Sequence, residues 1–334
     1  AMYYLGNLFY DKLQWKLALE LWEKSAEIND KFPTVLRNLS LVYYNKCNDA
    51  AKAEEVLTKA FLLDETDARI FYELDQLHKK TGYTFKQRLH EYEKYFDTVI
   101  KRDDLCVEYC TILNALNKPE EAYKFMMSRK FHPWEGGEGK VTEQNEISLL
   151  LMAIREIKKA NYAAAKDLLE KALIYPENLG EGKLEGTKDN HIYYYLGLVN
   201  EMLGNQEEAV HDYELACVGT DEPAGMMYYY DQPADMIMYQ GFSRKKLGDV
   251  AGANKRFYRL IDYGERHIKD HVKIDYFAVS PPDFLTFEDN LDIRNEAHCY
   301  FLMAMGHAGL GNKRKAKEYM KQALQREPMN YRIV

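Results

Sequence analysis

The sequence has few cysteines and no long apolar stretch. Cys106 and Cys110 lie four residues apart on a predicted helix, a spacing that favours helix packing over a disulfide bond. No apolar run approaches the roughly 20 residues of a membrane span, and no signal peptide is visible. We therefore expect no membrane association and reduced thiols in a cytoplasmic protein. The five cysteines, none of them at metal-site spacing, are Cys47, Cys106, Cys110, Cys217 and Cys299.

Positive charges are outnumbered by negative ones, and catalytic signatures are missing. Lys and Arg number 45 against 53 Asp and Glu, so the net charge is −8, and nucleic-acid binding, which needs a basic stripe, is not expected. No His-Glu-x-x-His or Gly-x-Ser-x-Gly motif occurs, and the stretch 136–141 lacks the spacer and hydroxyl of a phosphate loop. We predict no metal, no cofactor and no catalytic residue, and an enzymatic role for this chain is uncertain.

Residues 191–216 show what the sequence does contain. Small and large apolar residues follow helical spacing in two short runs, and Gly204 between them predicts a helix end. Two amphipathic helices joined by a tight turn form a helical hairpin. Gly197 and Ala209 are small, which predicts a close approach of the two helices at those positions.

The same frame recurs along the chain and resembles the tetratricopeptide repeat. Leu5, Leu39 and Leu74 are spaced at intervals of 34 and 35 residues, close to that family's period of about 34. The resemblance implies an all-α fold, a right-handed superhelical solenoid of about eight hairpins. We divide it into 1–131, with hairpins one to four, and 132–334, with hairpins five to eight and long loops, in one continuous solenoid. The third hairpin is degenerate, with Leu89 where the family has Ala.

The first helices of the N-terminal hairpins predict a groove that could hold an extended peptide. Thr34 and Asp67 are the expected N-caps of two of these helices. In chaperone-binding repeat proteins, two Lys, two Asn and an Arg clamp a terminal carboxylate. Asn7, Asn38 and Arg69 fall at three matching places, but Tyr3 and Glu73 occupy the other two, and Glu73 would repel a carboxylate. The alternative is that these positions are ordinary solvated helix faces. The predicted groove residues are Tyr3, Asn7, Tyr10, Arg37, Asn38, Tyr44, Arg69, Tyr72 and Gln76.

Four enlarged loops interrupt the second half, near 131–145, 175–188, 219–233 and 270–290. Equivalent insertions in a solenoid emerge on one edge, so we expect them to cluster. Their aromatic and acidic residues suit a docking surface for another domain or, alternatively, a sugar. A third possibility is that they only cover the edge of the solenoid. The predicted loop-edge residues are Trp134, Glu135, Glu138, Lys140, Glu177, Asn178, Glu181, Lys183, Tyr229, Asp231 and Asp283.

The amino-acid sequences of two loops indicate a wider resemblance. His132 to Lys140 and Tyr175 to Lys183 resemble the C-terminal half of large bacterial proteins of uncharacterised function, whose N-terminal region looks like a galactose-mutarotase-type β-sandwich. This resemblance implies a β-sandwich domain of the same longer chain as a partner, and a carbohydrate context by analogy of fold. The leading hypothesis is a protein-interaction scaffold that docks another domain or a peptide. The alternative is the accessory half of a carbohydrate-active enzyme.

Overall fold

The computed structural model describes residues 1–134, 136–226, 232–273 and 286–332. These residues contain helices and connecting segments, and no strand occurs among them. A short 3₁₀ turn, Glu177–Leu179, lies between the eleventh and twelfth helices. The all-α prediction is therefore confirmed. The helices are α1 Met2–Asp11, α2 Trp15–Ile28, α3 Pro33–Asn45, α4 Ala50–Leu63, α5 Ala68–Thr81, α6 Phe85–Lys94, α7 Phe96–Val99, α8 Asp103–Ala115, α9 Pro119–Met127, α10 Lys140–Lys158, α11 Tyr162–Ala172, α12 Asn190–Leu203, α13 Gln206–Leu215, α14 Met236–Lys246, α15 Val250–His267, α16 Leu291–Gly309 and α17 Lys313–Arg326.

The chain forms two compact units. Unit 1 contains Ala1–Ile112 together with the described residues 286–289, and unit 2 contains the remaining described residues from Leu113 onward. The boundary falls inside α8, whereas the division predicted from the sequence follows the start of the long loops at residue 132. The single continuous solenoid stays a prediction.

Successive helices pack against each other as the repeat predicts. In unit 1, α1 packs on α2 and α3 on α4; in unit 2, the pairs are α10 with α11, α12 with α13, α14 with α15 and α16 with α17. Each second helix also contacts the next first helix, as α11 does with α12. Leu149, Leu169 and Leu196, from three successive helices, share one buried cluster. The core is thus built from neighbouring hairpins, as in other helical-repeat proteins.

A glycine facing an aromatic ring recurs in three hairpins. A Cβ built on Gly197 would lie 2.5 Å from the Tyr213 ring, and one on Gly241 would lie 2.4 Å from Phe257. Gly6 stands in the same relation to the Trp22 indole, at 2.4 Å. In each hairpin the aromatic residue comes 16 positions after the glycine. The predicted close approach at Gly197 is therefore confirmed, and its partner is the aromatic ring of the second helix.

Two helix ends follow the predicted local chemistry and a third does not. Gly204 ends α12 in the left-handed conformation, at φ 85°, and the Asp67 side chain accepts hydrogen bonds from Arg69 N and Ile70 N at the start of α5. The prediction that Thr34 is an N-cap is wrong. The N-cap is Phe32, two residues earlier, and the helix begins with Pro33, where the fixed φ of proline is already helical.

The degenerate third hairpin contains a buried ion-pair network. Arg88 is 0% exposed and donates to both Asp75 carboxylate oxygens at 2.7 Å, while Tyr92 Oη donates to the same carboxylate at 2.9 Å. Arg88 also pairs with Glu108 at 2.8 Å, and Lys79 reaches that carboxylate at 2.9 Å. Burial opposes ionisation of Glu108, but Lys79 and Arg88 lower its pKa to about 2. This hairpin is therefore fixed by charge pairing where others use small apolar residues.

Candidate functional site

The predicted groove residues of the first two hairpins are joined by hydrogen bonds. Asn7 Oδ1 accepts from Trp22 Nε1 at 3.1 Å and from Asn38 Nδ2 at 3.2 Å. Trp22 Nε1 also donates to the backbone oxygen of Tyr3 at 3.1 Å. The two asparagines that match the carboxylate clamp are thus linked to each other, and the oxygen of Asn7 is engaged within the unit.

The predicted arginines of the groove are paired with Glu73. Arg37 makes a two-pronged contact with this carboxylate, with Nε and Nη2 at 2.5 and 2.6 Å, and Arg69 Nε lies 3.3 Å from it. The Glu73 side chain is only 7% exposed. An incoming carboxylate would have to displace a carboxylate that already pairs with both guanidinium groups. The arrangement therefore argues against a terminal-carboxylate clamp, as the position of Glu73 predicts.

A short segment of the fourth loop, residues 286–289, lies on α3 and α5. Asn45, at the end of α3, holds its backbone from both sides. Asn45 Nδ2 donates to the Thr286 carbonyl at 3.0 Å, and the Glu288 backbone N–H donates to Asn45 Oδ1 at 2.7 Å. One amide side chain therefore satisfies a backbone acceptor and a backbone donor on the two sides of Phe287. We call the residues that hold this segment, together with the nearby Gln76, the clamp face: Tyr44, Asn45, Lys46, Gln76 and Lys80.

The side chains of the segment complete the contact. Phe287 is 0% exposed, and its ring meets the Tyr44 ring edge-on with centroids 5.3 Å apart. Lys46 forms an ion pair with Glu288, and Lys80 Nζ lies 2.6 Å from Asp289 Oδ1. Aromatic burial and two opposite charges therefore accompany the backbone clamp.

Two further groove residues lie near this contact. Burial raises the pKa of Tyr10, and both Lys46 and Glu288 are close enough to act on it. Gln76 on α5 is 7% exposed, and its Nε2 is buried without a hydrogen-bond partner among the described residues. Residues four apart share a helix face, so Gln76 lies one turn from Lys80 on the same side of α5. The clamp face therefore holds a buried donor that segment 286–289 does not use.

The first two loops of unit 2 pack against each other. The Phe131 backbone N–H donates to the Asn178 carbonyl at 2.8 Å. Asn178 Nδ2 donates to the carbonyl of Met126, in the last turn of α9, at 2.9 Å and to that of Arg129, just after α9, at 3.0 Å. The Glu181 carboxylate accepts from the Gly139 backbone N–H, with its nearer oxygen at 2.9 Å, where α10 begins. Asn178 and Glu181 therefore join the loops to each other and to the helix ends.

The other predicted loop-edge residues differ in their surroundings. Lys183 Nζ donates to the Leu173 carbonyl at 3.0 Å and pairs with Asp189 at 2.8 Å. The Trp134 ring is half-buried over Gly137, where a Cβ would lie 2.0 Å from it, and Lys140 is half-buried in the first turn of α10. The two exposed acidic positions are Glu138 and Glu177. Four predicted positions lie outside the described residues: Glu135, Tyr229, Asp231 and Asp283.

A buried acid and histidine lie in unit 2, close to these loops. Glu146 Oε1 accepts from Tyr175 Oη at 2.8 Å, and His191 Nε2 lies 4.0 Å from Glu146 Oε2. Burial raises the pKa of Glu146 to about 7, and burial together with the nearby Arg332 and Lys183 lowers that of His191 to about 4. Both groups are therefore uncharged over much of the range between these values.

The described part of the chain shows neither a cluster of metal ligands nor a membrane-spanning helix. Within it, no three His, Cys, Asp or Glu side chains come together as metal ligands would. None of the helices there has the length and apolar content that crossing a membrane requires. Cys106 and Cys110 are both buried on α8.

The sequence interpretation missed three residues of the clamp face. Asn45 and Lys46 directly follow the predicted Tyr44 at the end of α3, and Lys80 is one turn beyond the predicted Gln76. Continuing the groove stripe by one helical turn would have included Lys80. No local signal marks Phe287, because its contact with Tyr44 joins parts of the chain more than 240 residues apart.

Comparison with known proteins finds distantly similar repeat proteins. No protein-family model matches the sequence. Three solved structures show similarity over much of their length. A tetratricopeptide repeat protein from Parabacteroides merdae is 15% identical, with 77% of this chain and 90% of that chain covered and a TM-score of 0.41. YrrB, a repeat protein with an unusual peptide-binding site, is 17% identical, with 58% and 89% covered and a TM-score of 0.39. The TPR2AB domain of yeast Sti1, in its pHSP90 complex, is 14% identical, with 97% and 96% covered and a TM-score of 0.33.

These similarities are too distant to carry an argument about function. The fold assignment is carried by the chain itself, through its paired helices and the recurring small residue opposite an aromatic ring. In its described residues the chain is accordingly an all-α helical-repeat protein.

Proposed function

We propose that this protein is an interaction scaffold that holds a peptide segment of a protein partner on the clamp face of unit 1. The observation that carries the proposal is the pair of hydrogen bonds from Asn45 to the backbone of Thr286 and Glu288. Each non-proline residue has one backbone donor and one backbone acceptor, so the same clamp is available to a segment of another protein.

The surroundings of Asn45 also favour peptide binding over other roles. Tyr44 provides an apolar surface for a side chain, and Lys46 and Lys80 provide two positive charges in a chain that is acidic as a whole. An amide that pairs with backbone, next to pockets for alternate side chains, is a general means of holding a peptide with some choice of sequence.

The partner predicted by the wider resemblance, a β-sandwich domain of the same longer chain, is one candidate source of such a segment. A peptide from a separate protein is the other. Bacterial origin and cytoplasmic location stay predictions.

A random-peptide library displayed on phage tests this proposal. The bait is the full chain carrying Phe287→Ala, which removes the aromatic anchor of the internal segment; the counter-bait carries Asn45→Ala in addition. A matched control adds Thr34→Ala, an exposed position on the same helix. We expect peptides that bind the bait and the Thr34 control and lose binding with the Asn45 change. The proposal would be refuted if the enriched peptides bound the bait and the Asn45→Ala counter-bait equally well, or if no peptide were enriched.

A further inference from the structure

We propose that the clamp face selects an aromatic residue followed by two acidic residues, and that Thr286–Asp289 is an internal copy of this ligand that an external segment must displace. This inference rests on the proposed function and adds the chemistry of the ligand and the competition within the chain.

The aromatic preference follows from the place of Phe287. Its side chain is fully buried against Tyr44, and the two Asn45 hydrogen bonds fix the backbone on either side of it. Because the backbone is fixed at residues 286 and 288, the side chain of residue 287 can occupy only the site against Tyr44. An aromatic ring buries a large apolar area there and gains the edge-on contact with the Tyr44 ring.

The acidic preference follows from the two lysines. Lys46 comes from the end of α3 and pairs with Glu288, while Lys80 comes from the end of α5 and pairs with Asp289. The order of the charges along the ligand is therefore set by two separate helices. A ligand with amides in place of these carboxylates keeps the backbone clamp and loses both ion pairs.

Gln76 provides an observation independent of the internal segment. Its Nε2 is a buried donor with no partner in the described chain, and buried donors are normally satisfied in folded proteins. It lies one turn from Lys80 on the same side of α5. A longer external segment that offers an acceptor here would satisfy this donor, which Thr286–Asp289 leaves open.

Self-occupancy reduces the apparent affinity for any external ligand. The apparent dissociation constant is the intrinsic one divided by the fraction of molecules with a free site. Removing the Phe287 ring weakens the internal segment and leaves the receiving residues intact. Binding of an external peptide should therefore strengthen in Phe287→Ala, whereas a purely structural role for Phe287 would leave binding unchanged or weaken it.

The experiment measures fluorescence anisotropy of a labelled hexapeptide with the sequence of residues 285–290, titrated with the full chain. We expect Phe287→Ala to bind at least about tenfold more tightly than the unchanged chain, which is about 1.4 kcal/mol. Adding Asn45→Ala should abolish binding, and adding Thr34→Ala should not. Circular dichroism of every variant checks that it remains folded.

Two altered peptides test the ligand chemistry. One has alanine in place of the aromatic residue, and the other has glutamine and asparagine in place of the two acids. Both peptides should bind the Phe287→Ala chain at least about fivefold more weakly than the hexapeptide 285–290 does. Raising NaCl to about 0.5 M should weaken the binding of the peptides that keep the two acids and not that of the neutral peptide. In the receptor, the double change Lys46→Ala and Lys80→Ala should match the effect of the neutral peptide, because it removes the same two ion pairs. Lys16→Ala, at an exposed lysine on α2, serves as the control.

Failure of this inference is distinguishable from failure of the proposed function. Equal affinity of the unchanged chain and Phe287→Ala overturns the internal copy, and equal binding of the neutral peptide overturns the acidic selectivity. If the phage selection returns Asn45-dependent peptides without the aromatic and acidic pattern, the peptide-binding function stands and its proposed ligand chemistry is wrong.

Discussion

Replacing Glu146 by glutamine should stabilise unit 2 at alkaline pH and have little effect in acid. The Glu146 carboxyl is 12% exposed, and burial raises its pKa from 4.5 to about 7. Glutamine has nearly the same shape, keeps an oxygen that can accept from Tyr175, and carries no charge at any pH. The change therefore isolates the cost of ionising a buried carboxyl group.

The sign and size follow from linkage between protonation and folding. Because the folded-state pKa is raised, the stability that Glu146 contributes is present below about pH 4.5 and is lost as the pH rises through about 7. At about 1.4 kcal/mol per pKa unit, the loss at pH 8 amounts to about 3 kcal/mol. His191 cannot offset it with a positive charge, because its own pKa is lowered to about 4.

The assay is calorimetric melting of the full chain and of Glu146→Gln between about pH 5 and pH 8. For a unit of this size, about 3 kcal/mol corresponds to a gain of roughly 5–10 °C in Tm at the alkaline end, and the gain should shrink toward zero near pH 5. The exposed Glu177→Gln serves as the control and should leave the pH profile unchanged. A Tm difference that is independent of pH, or one that grows in acid, would refute the reasoning.

Three further outcomes are expected. Asp75→Asn removes the carboxylate that accepts from two nitrogens of the fully buried Arg88 and leaves Glu108 as its remaining carboxylate partner. It should lower the free energy of unfolding by about 3 kcal/mol in a urea titration, the lower end of the cost of breaking a buried pair, and a loss below about 1 kcal/mol would contradict a buried pair. Gly197→Val places atoms inside the facing ring and should lower the Tm by several degrees, at a cost of roughly 1–3 kcal/mol, and an unchanged Tm would show that the hairpin can widen. Trp134→Ala combined with Glu138→Gln tests the loop edge on a glycan array. The carbohydrate alternative expects signals with the unchanged chain that this variant loses, and the scaffold interpretation expects no signal with either.

The repeat itself was predictable because its signals are local. Helical spacing, the glycine that ends α12 and the small residue at Gly197 each act within one hairpin, and the structure agrees with all three. The start of α3 was placed wrongly because a threonine is a common cap, yet the proline before it already fits the first helical turn. Competition between two such helix-start signals shifts the boundary of a helix by a residue or two without changing the fold.

The candidate site was predictable only in part. Tyr44 and Gln76 follow from the groove frame, but nothing in the sequence near Asn45 indicates that its side chain meets residues 286 and 288. That contact depends on the path of the whole chain between them. The buried pair of Arg88 and Asp75 is a similar case. Leu89 marks its hairpin as atypical, and no local pattern shows that two charged side chains there are buried together.

The junction of the first two loops also bears on anion binding. The first amides of a helix are a natural seat for a phosphate group, and the glycine-rich stretch 136–140 lies where α10 starts. In this protein the Glu181 carboxylate already occupies that position and accepts a hydrogen bond from the Gly139 amide. A nucleotide or sugar phosphate approaching this helix end would meet the negative charge of Glu181. The stretch that looks most like a phosphate loop therefore disfavours phosphate binding.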